Sequence, residues 1–286
     1  MDSIRRFSKP TLRRPRAVVA FEGWNDACDA ASGALNYLLS LADANEPFAA
    51  IDPEEFFDFQ AARPTVQLDE GGTRSLTWPT TKFFAAPRPD DSRDLLLVLG
   101  EEPSLRWKTF SRSVTQILVE MDVEEVVLLG AFIGQVPHTR PVPVVGVATD
   151  PGLVATHGLH ASTYEGPTGI VGVLQEACKE MGLPAISLWA AAPHYLAANP
   201  NPKAMLALLR RCDEVLDMRI DTDELETVVE EFSRRVERAI ESSSDFASYV
   251  EDLESQGSRR RVDEELDVAA TDELVSEIEN FLRKRG

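Results

Sequence analysis

A chain of 286 residues accommodates one full α/β unit with additions, and 43% apolar against 27% charged residues is ordinary globular composition, which argues against wholesale disorder. The net charge of −19 is unevenly spread, with −13 on residues 213–286 and −6 on residues 1–212. A surface of that sign repels phosphate backbones and anionic lipid, so neither nucleic acid nor membrane is expected as a partner. Cys28, Cys178 and Cys212 are widely spaced, without a CxxC, and read as reduced thiols of a cytoplasmic protein. Residues 1–16 form a basic arm with Arg5, Arg6, Lys9, Arg13, Arg14 and Arg16, read as a solvated tail. The apolar run after it, Ala17 to Phe21, is too short for a secretion signal or a membrane span.

That run has the continuous apolar character of a strand buried on both faces. The loop Glu22-Gly23-Trp24-Asn25-Asp26 leads to a helix over 27–41, with Ala31, Leu35, Leu38 and Leu39 at helical spacing. A second strand is expected around Phe48 to Ile51, and 74–86, broken by Pro79, reads as a short hairpin. Strands follow at 94–99, ending at Gly100 before a helix to about Met121, and at 125–129, ending at Gly130. Next come the loop 135–141, a strand over 142–148, a helix over 169–181 and a last strand over 185–190. Alternating β and α elements of this kind pack as layers, which predicts a Rossmann-like α/β fold with a mostly parallel sheet and helices on both faces. From Pro202 onward only helices are expected: one ending near Leu216, one opened by Asp221 and Glu224 as a capping box, and a shorter one around Phe246 to Leu253. A mobile linker near 256–267 and a final helix capped by Thr271 complete the chain. The expected division is therefore a basic arm (1–16), an α/β core (17–216) and an acidic helical C-terminal region (217–286).

In open α/β sheets ligands bind beyond the carboxyl ends of the strands, where loops converge beside helix N-termini. That rule selects Glu22, Trp24, Asn25 and Asp26 after the first strand and Glu101, Glu102 and Arg106 after the third. It adds His138 and Arg140 after the fourth and His194 after the last. Gly166, Thr168 and Gly169 lie in a Gly-Pro-Thr-Gly turn at a helix start, where free amides suit a phosphate or carboxylate, although a plain helix cap requires the same residues. A small anionic ligand is thus a candidate partner. His157 and His160 form an HxxH pattern, but no further ligand lies nearby in the sequence, so no metal is expected. GxGxxG, GxxxxGK[ST] and GxSxG are all absent, which removes support for dinucleotide binding, P-loop hydrolysis and serine-hydrolase chemistry. No cofactor is expected, no catalytic residue is assigned, and the balance leans away from an enzyme.

The segments Phe21 to Ala27, Glu101 to Trp107, Pro137 to Pro141, Gly166 to Gly169, Ser187 to Trp189 and Pro193 to Tyr195 together resemble the actinobacterial branch of the proteasome assembly chaperone 2 family, over roughly residues 15–215. The resemblance implies a phosphorylase/hydrolase-like α/β fold, self-association as a trimer or dimer, and a chaperone-like role with another protein complex as partner. Family members that dock on proteasome rings carry a hydrophobic-tyrosine-any-residue tail. The last residues here are Lys284-Arg285-Gly286, so docking by that route is not expected. An oligomeric interaction or assembly protein is the leading reading. The alternative is a small-molecule binding protein, or a hydrolase/phosphorylase-like enzyme, that uses the crevice at the strand ends. Because the linker carries few apolar residues to anchor the last helix, deleting residues 257–286 is expected to leave the near-ultraviolet circular dichroism of the core intact.

Overall fold

The computed structural model describes residues 3–68, 71–148, 150–159, 165–197, 200–241 and 244–256. Four apolar runs form the centre of an eight-stranded sheet: β2 (Arg16–Glu22), β7 (Leu95–Glu101), β8 (Glu125–Gly134) and β10 (Ala185–Pro193). They pair in parallel in the order β7-β2-β8-β10. Each is covered on both faces, which is why apolar residues need not alternate with polar ones. In β2, Val18 and Ala20 join the core beneath α1 (Ala30–Leu41) and α5 (Pro202–Leu216), whereas Ala17, Val19 and Phe21 join that beneath α2 (Trp107–Glu120) and α4 (Ile170–Glu180). The result is the predicted layered α/β/α arrangement. In the second core Phe110 of α2 sits edge-on between Phe21 and Phe56, with ring centroids 5.8 and 5.5 Å apart.

Antiparallel strands flank this centre. On one side β6 (Thr81–Ala86) pairs with β7, β3 (Ala49–Ile51) with β6, and β1 (Ile4–Arg6) with β3; on the other, β9 (Val144–Ala148) pairs with β10. Two expectations are corrected here. The stretch 74–86 is not a hairpin. Arg74–Thr77 (β5) pairs with the short, exposed and therefore overlooked β4 (Thr65–Leu68), and the chain past Pro79 joins the main sheet. Nor is the basic arm a solvated tail: β1 adds a strand to the sheet edge, and the arm's arginines meet acids of the body, with Arg6 on Glu120 at 2.8 Å and Arg14 on Glu124 at 2.8 Å.

The helices beyond β10 appear as expected: α5, α6 (Asp223–Glu241) and α7 (Ser244–Gln256). Asn201 caps α5 by accepting from the Lys203 and Ala204 amides, with Pro202 in the first turn. Asp221 accepts from the Asp223 amide at 3.1 Å, so it steadies the start of α6 without closing the expected box with Glu224. Val236, Ile240, Phe246, Val250 and Leu253 pack on Tyr195 and Leu196, a small third core that fastens α6 and α7 to the end of β10. A short helix, α3 (Pro151–Thr156), follows β9. The predicted linker after Gln256, the final helix, and His160 of the HxxH pattern lie outside the described residues. Among the described residues no helix is long and apolar enough to cross a membrane, and no group of three or more His, Cys, Asp or Glu is placed to hold a metal.

Asp94, just before β7, anchors the arm. It is 2% exposed and accepts hydrogen bonds from the Arg13 amide at 2.7 Å, the Arg13 guanidinium at 2.9 Å and the Arg88 amide at 2.8 Å. Burial alone would raise its carboxyl, but these donors hold it below the ordinary carboxylate range. Asp94→Ala strands the two amides and is expected to cost about 2–3 kcal/mol in a denaturant melt at neutral pH. Because the folded-state value is depressed, the gap between wild type and variant should close as pH falls into the carboxylate range.

Candidate functional site

The carboxyl ends of the parallel strands gather most of the predicted residues, in two groups. The first lies at the ends of β2 and β7, where Glu22 and Glu101 are register partners on adjacent strands. Glu102 continues past β7 and donates its amide to the Glu22 carbonyl at 2.9 Å. Its Oε1 accepts from Asn25 Nδ2 at 2.7 Å and from the Ile170 amide at 2.8 Å. Glu102 therefore caps α4 from across the sheet. Gly169 is needed for this approach, since a Cβ there would lie 2.3 Å from Asn25 Oδ1. The Thr168 hydroxyl folds back over the first turn of α4, so that a Cβ on Gly172 would lie 2.1 Å from it.

This geometry bears on the anion cradle expected at Gly166, Thr168 and Gly169: the Ile170 amide of that helix start already serves an internal carboxylate. Asp26 does the same for the other helix in the corner, its Oδ1 accepting from the Ala31 amide at 2.7 Å and the Ser32 amide at 3.2 Å. The field here is negative. Partial burial, then the charges of Glu101, Asp26 and Asp29, push the Glu22 carboxyl up; burial raises those of Glu101 and Asp26 as well. Cys28 and Asp29, between the loop and α1, hold φ of 57° and 49° in the left-handed region. Trp24 projects from the same loop and is 65% exposed. Arg106, in the left-handed region at the start of α2, turns to Glu55 at 2.6 Å.

The second group lies beyond β8 and β10. His138 Nδ1 meets the Tyr195 hydroxyl at 2.9 Å, and that hydroxyl also accepts from the His138 amide at 2.7 Å. His194 Nε2 meets the Tyr249 hydroxyl of α7 at 2.9 Å, and its ring stands edge-on to Tyr195. The Lys203 ammonium donates to the His138 carbonyl. Arg140 donates to the Glu254 carbonyl at 2.7 Å, and Thr139 donates to the Glu254 carboxylate, so the 137–140 loop is latched to α7. A cleft beside this network, lined by residues including Val136, His138, Leu196, Lys203 and Phe232, encloses about 10 Å³, the space of a single water-sized molecule. None of the first group lines it. His157 lies elsewhere, 3.5 Å from Glu125.

Tyr195, Lys203, Tyr249 and Glu254 were not among the predicted site residues. Tyr195 stood beside His194 as a visible signal, whereas the other three sit on helices whose docking no local pattern gives. The molecule is thus a layered α/β protein whose strand-end polar residues are largely committed to capping and latching. A comparison with family models matches the PAC2 family over residues 20–240. The chain belongs to the PAC2 family. A PAC2 family protein from Streptomyces avermitilis is 51% identical, with 82% of this chain and 99% of that one covered and a TM-score of 0.78. The proteasome-assembly chaperone homologue of Mycobacterium tuberculosis is 42% identical, with the same coverage and a TM-score of 0.75. An archaeal proteasome activator from Pyrococcus furiosus, 18% identical, shares the fold at a TM-score of 0.66, covering 83% of this chain and 99% of that one. A search of curated proteins finds no match.

The second group carries a pH dependence. Burial, then the Lys203 charge, lowers His138 to about 4, and burial lowers His194 against a raising contact from the Gly134 backbone. A base depressed in the folded state leaves the unfolded chain to bind protons first. Stability should therefore be lost as pH falls below about 6.5 and level off near the folded value. Melting temperatures measured between pH 7.5 and pH 4 should show this fall, and the His138→Gln, His194→Gln double variant should flatten it.

Proposed function

We propose that this chain is an oligomeric interaction and assembly protein that works through its surfaces in the cytoplasm, with no small molecule turned over. The observation that carries the reading is the hairpin of β4 and β5. Val66 opposes Leu76 in its register and Leu68 lies two residues from Val66, so these three apolar side chains fall on one face, and Trp78 follows directly after β5. They are 47%, 51%, 70% and 42% exposed for Val66, Leu76, Leu68 and Trp78 respectively. A two-stranded hairpin is marginal in water unless its apolar face is covered. Phe59 covers only part of Trp78, with ring centroids 4.7 Å apart.

A second copy of the chain is the proposed cover, in a homo-oligomer with a trimer ahead of a dimer. A proteasomal partner complex follows from the name borne by the 42%-identical mycobacterial relative. In this reading α6 and α7 are an appendage to a core of residues 17–216. The cleft beside Tyr195 is lined by residues of the second group and by none of the first, which supports work through surfaces over a single ligand touching both groups.

Light scattering at micromolar concentration should return a multiple of the 31.6 kDa chain mass, and Leu68→Asp with Leu76→Asp should bring it down to one. Wild type at one chain mass would overturn this reading.

A further inference from the structure

The corner at the ends of β2 and β7 has acceptors and almost no donors. Glu22 and Glu101 stand on adjacent parallel strands, about 4.8 Å apart at the backbone, and neither carboxylate has a hydrogen bond or ion pair among the described residues. Two acceptor oxygens of the adjoining loop are also unanswered. Asn25 is fully buried with Oδ1 unpartnered, and Asp26 is 5% exposed with Oδ2 unpartnered. Buried oxygens without donors are costly and uncommon, and their uncompensated negative ends add to the negative field of this loop. Arg106, at the start of α2, turns to Glu55.

Apolar surface lies beside these acceptors. Trp24 is two residues from Glu22 and 65% exposed, and Leu105 is 50% exposed three residues after Glu102. We propose that this corner is a docking site for a basic side chain, arginine above all, presented by a partner protein, with Glu22 and Glu101 receiving the guanidinium and Trp24 covering its stem and face. A guanidinium brings five N–H donors to a place that lacks donors, and its planar face stacks on an indole. A compact divalent ion does not answer the same need, since no three acidic, His or Cys groups among the described residues are placed to ligate one. The site is open, with Trp24 projecting outward. A free small cation would stay largely in water there, while a protein surface would bury the indole along with its charge.

This inference rests on the reading of the chain as an interaction protein, but it is tested separately. The probe is a short peptide, capped at both ends and uncharged apart from one central arginine, titrated into the full chain while the indole N–H resonance of Trp24, assigned by Trp24→Phe, is followed by NMR. Saturable binding is expected. Replacing the arginine by citrulline, which keeps the shape and removes the charge, should weaken it at least about tenfold. Glu22→Gln with Glu101→Gln should weaken it similarly, whereas Glu231→Gln with Glu241→Gln on α6, which removes the same charge elsewhere, should change it less than about twofold.

The Glu22, Glu101 variant should melt at or above the wild-type temperature, since both carboxyls are raised in the folded state and neutralising them relieves repulsion. That control separates lost binding from lost folding. Equal binding of the citrulline peptide, or undiminished binding by the Glu22, Glu101 variant, would overturn the site. Equally tight binding of N-acetylarginine amide would overturn the protein partner in favour of a small cation. A monomeric mass in light scattering removes the assembly reading without touching the peptide result, and an oligomer that ignores the peptide removes only this site.

Discussion

One carboxylate oxygen, Glu102 Oε1, holds the strand-end region together. It takes the Asn25 carboxamide from the loop after β2 and the Ile170 amide from the start of α4, while the Glu102 amide reaches the Glu22 carbonyl. Two segments distant in sequence, the end of β2 with its loop and the start of α4, are thereby fixed to the end of β7. A helix start leaves its first amides without partners, and charge-assisted bonds to a carboxylate are among the stronger ways to satisfy them. With Asp26 serving α1 in the same manner, the two helix starts at this corner are answered from within the chain, and the acids left over set its sign.

The same economy governs the other end of the site. Tyr195 is fully buried, and it carries His138 on its hydroxyl while Phe246 and Tyr249 of α7 stand against its ring. The helices after β10 are therefore joined to the sheet by aromatic packing with polar ends satisfied, in addition to the aliphatic stripe of α6. Two surface features stand apart from this economy: the apolar face of the β4–β5 hairpin and the acidic, tryptophan-bearing corner. These are the two surfaces on which the proposed assembly role and the proposed arginine contact rest. Membership of the PAC2 family, with a 42%-identical mycobacterial relative named as a proteasome-assembly chaperone homologue, agrees with protein surfaces as the working parts.

The sequence by itself determined the layered fold. Ala17 to Phe21, Leu95 to Leu99 and Val126 to Leu129 are apolar without alternation, a pattern that only strands buried on both faces require, and the helical stripes between them supply the covering layers. It also placed Glu22, Asn25, Asp26, Glu101 and His138 at strand ends, because that follows from connectivity alone. Tertiary structure decided everything that depends on which loops meet. Thr65 to Leu68 and Arg74 to Thr77 show no local apolar run strong enough to announce their pairing, and the arm's Ile4 became a buried strand residue only because β3 offered an open edge. The turn at Gly166 to Gly169 suits a helix cap more than an anion cradle on its residues alone, and only the fold brings Glu102, sixty-eight residues from Ile170, onto the amide that follows it. Hydrogen bonds across such separations leave no periodicity in a sequence, so the donor and acceptor balance of the site was fixed only by the fold.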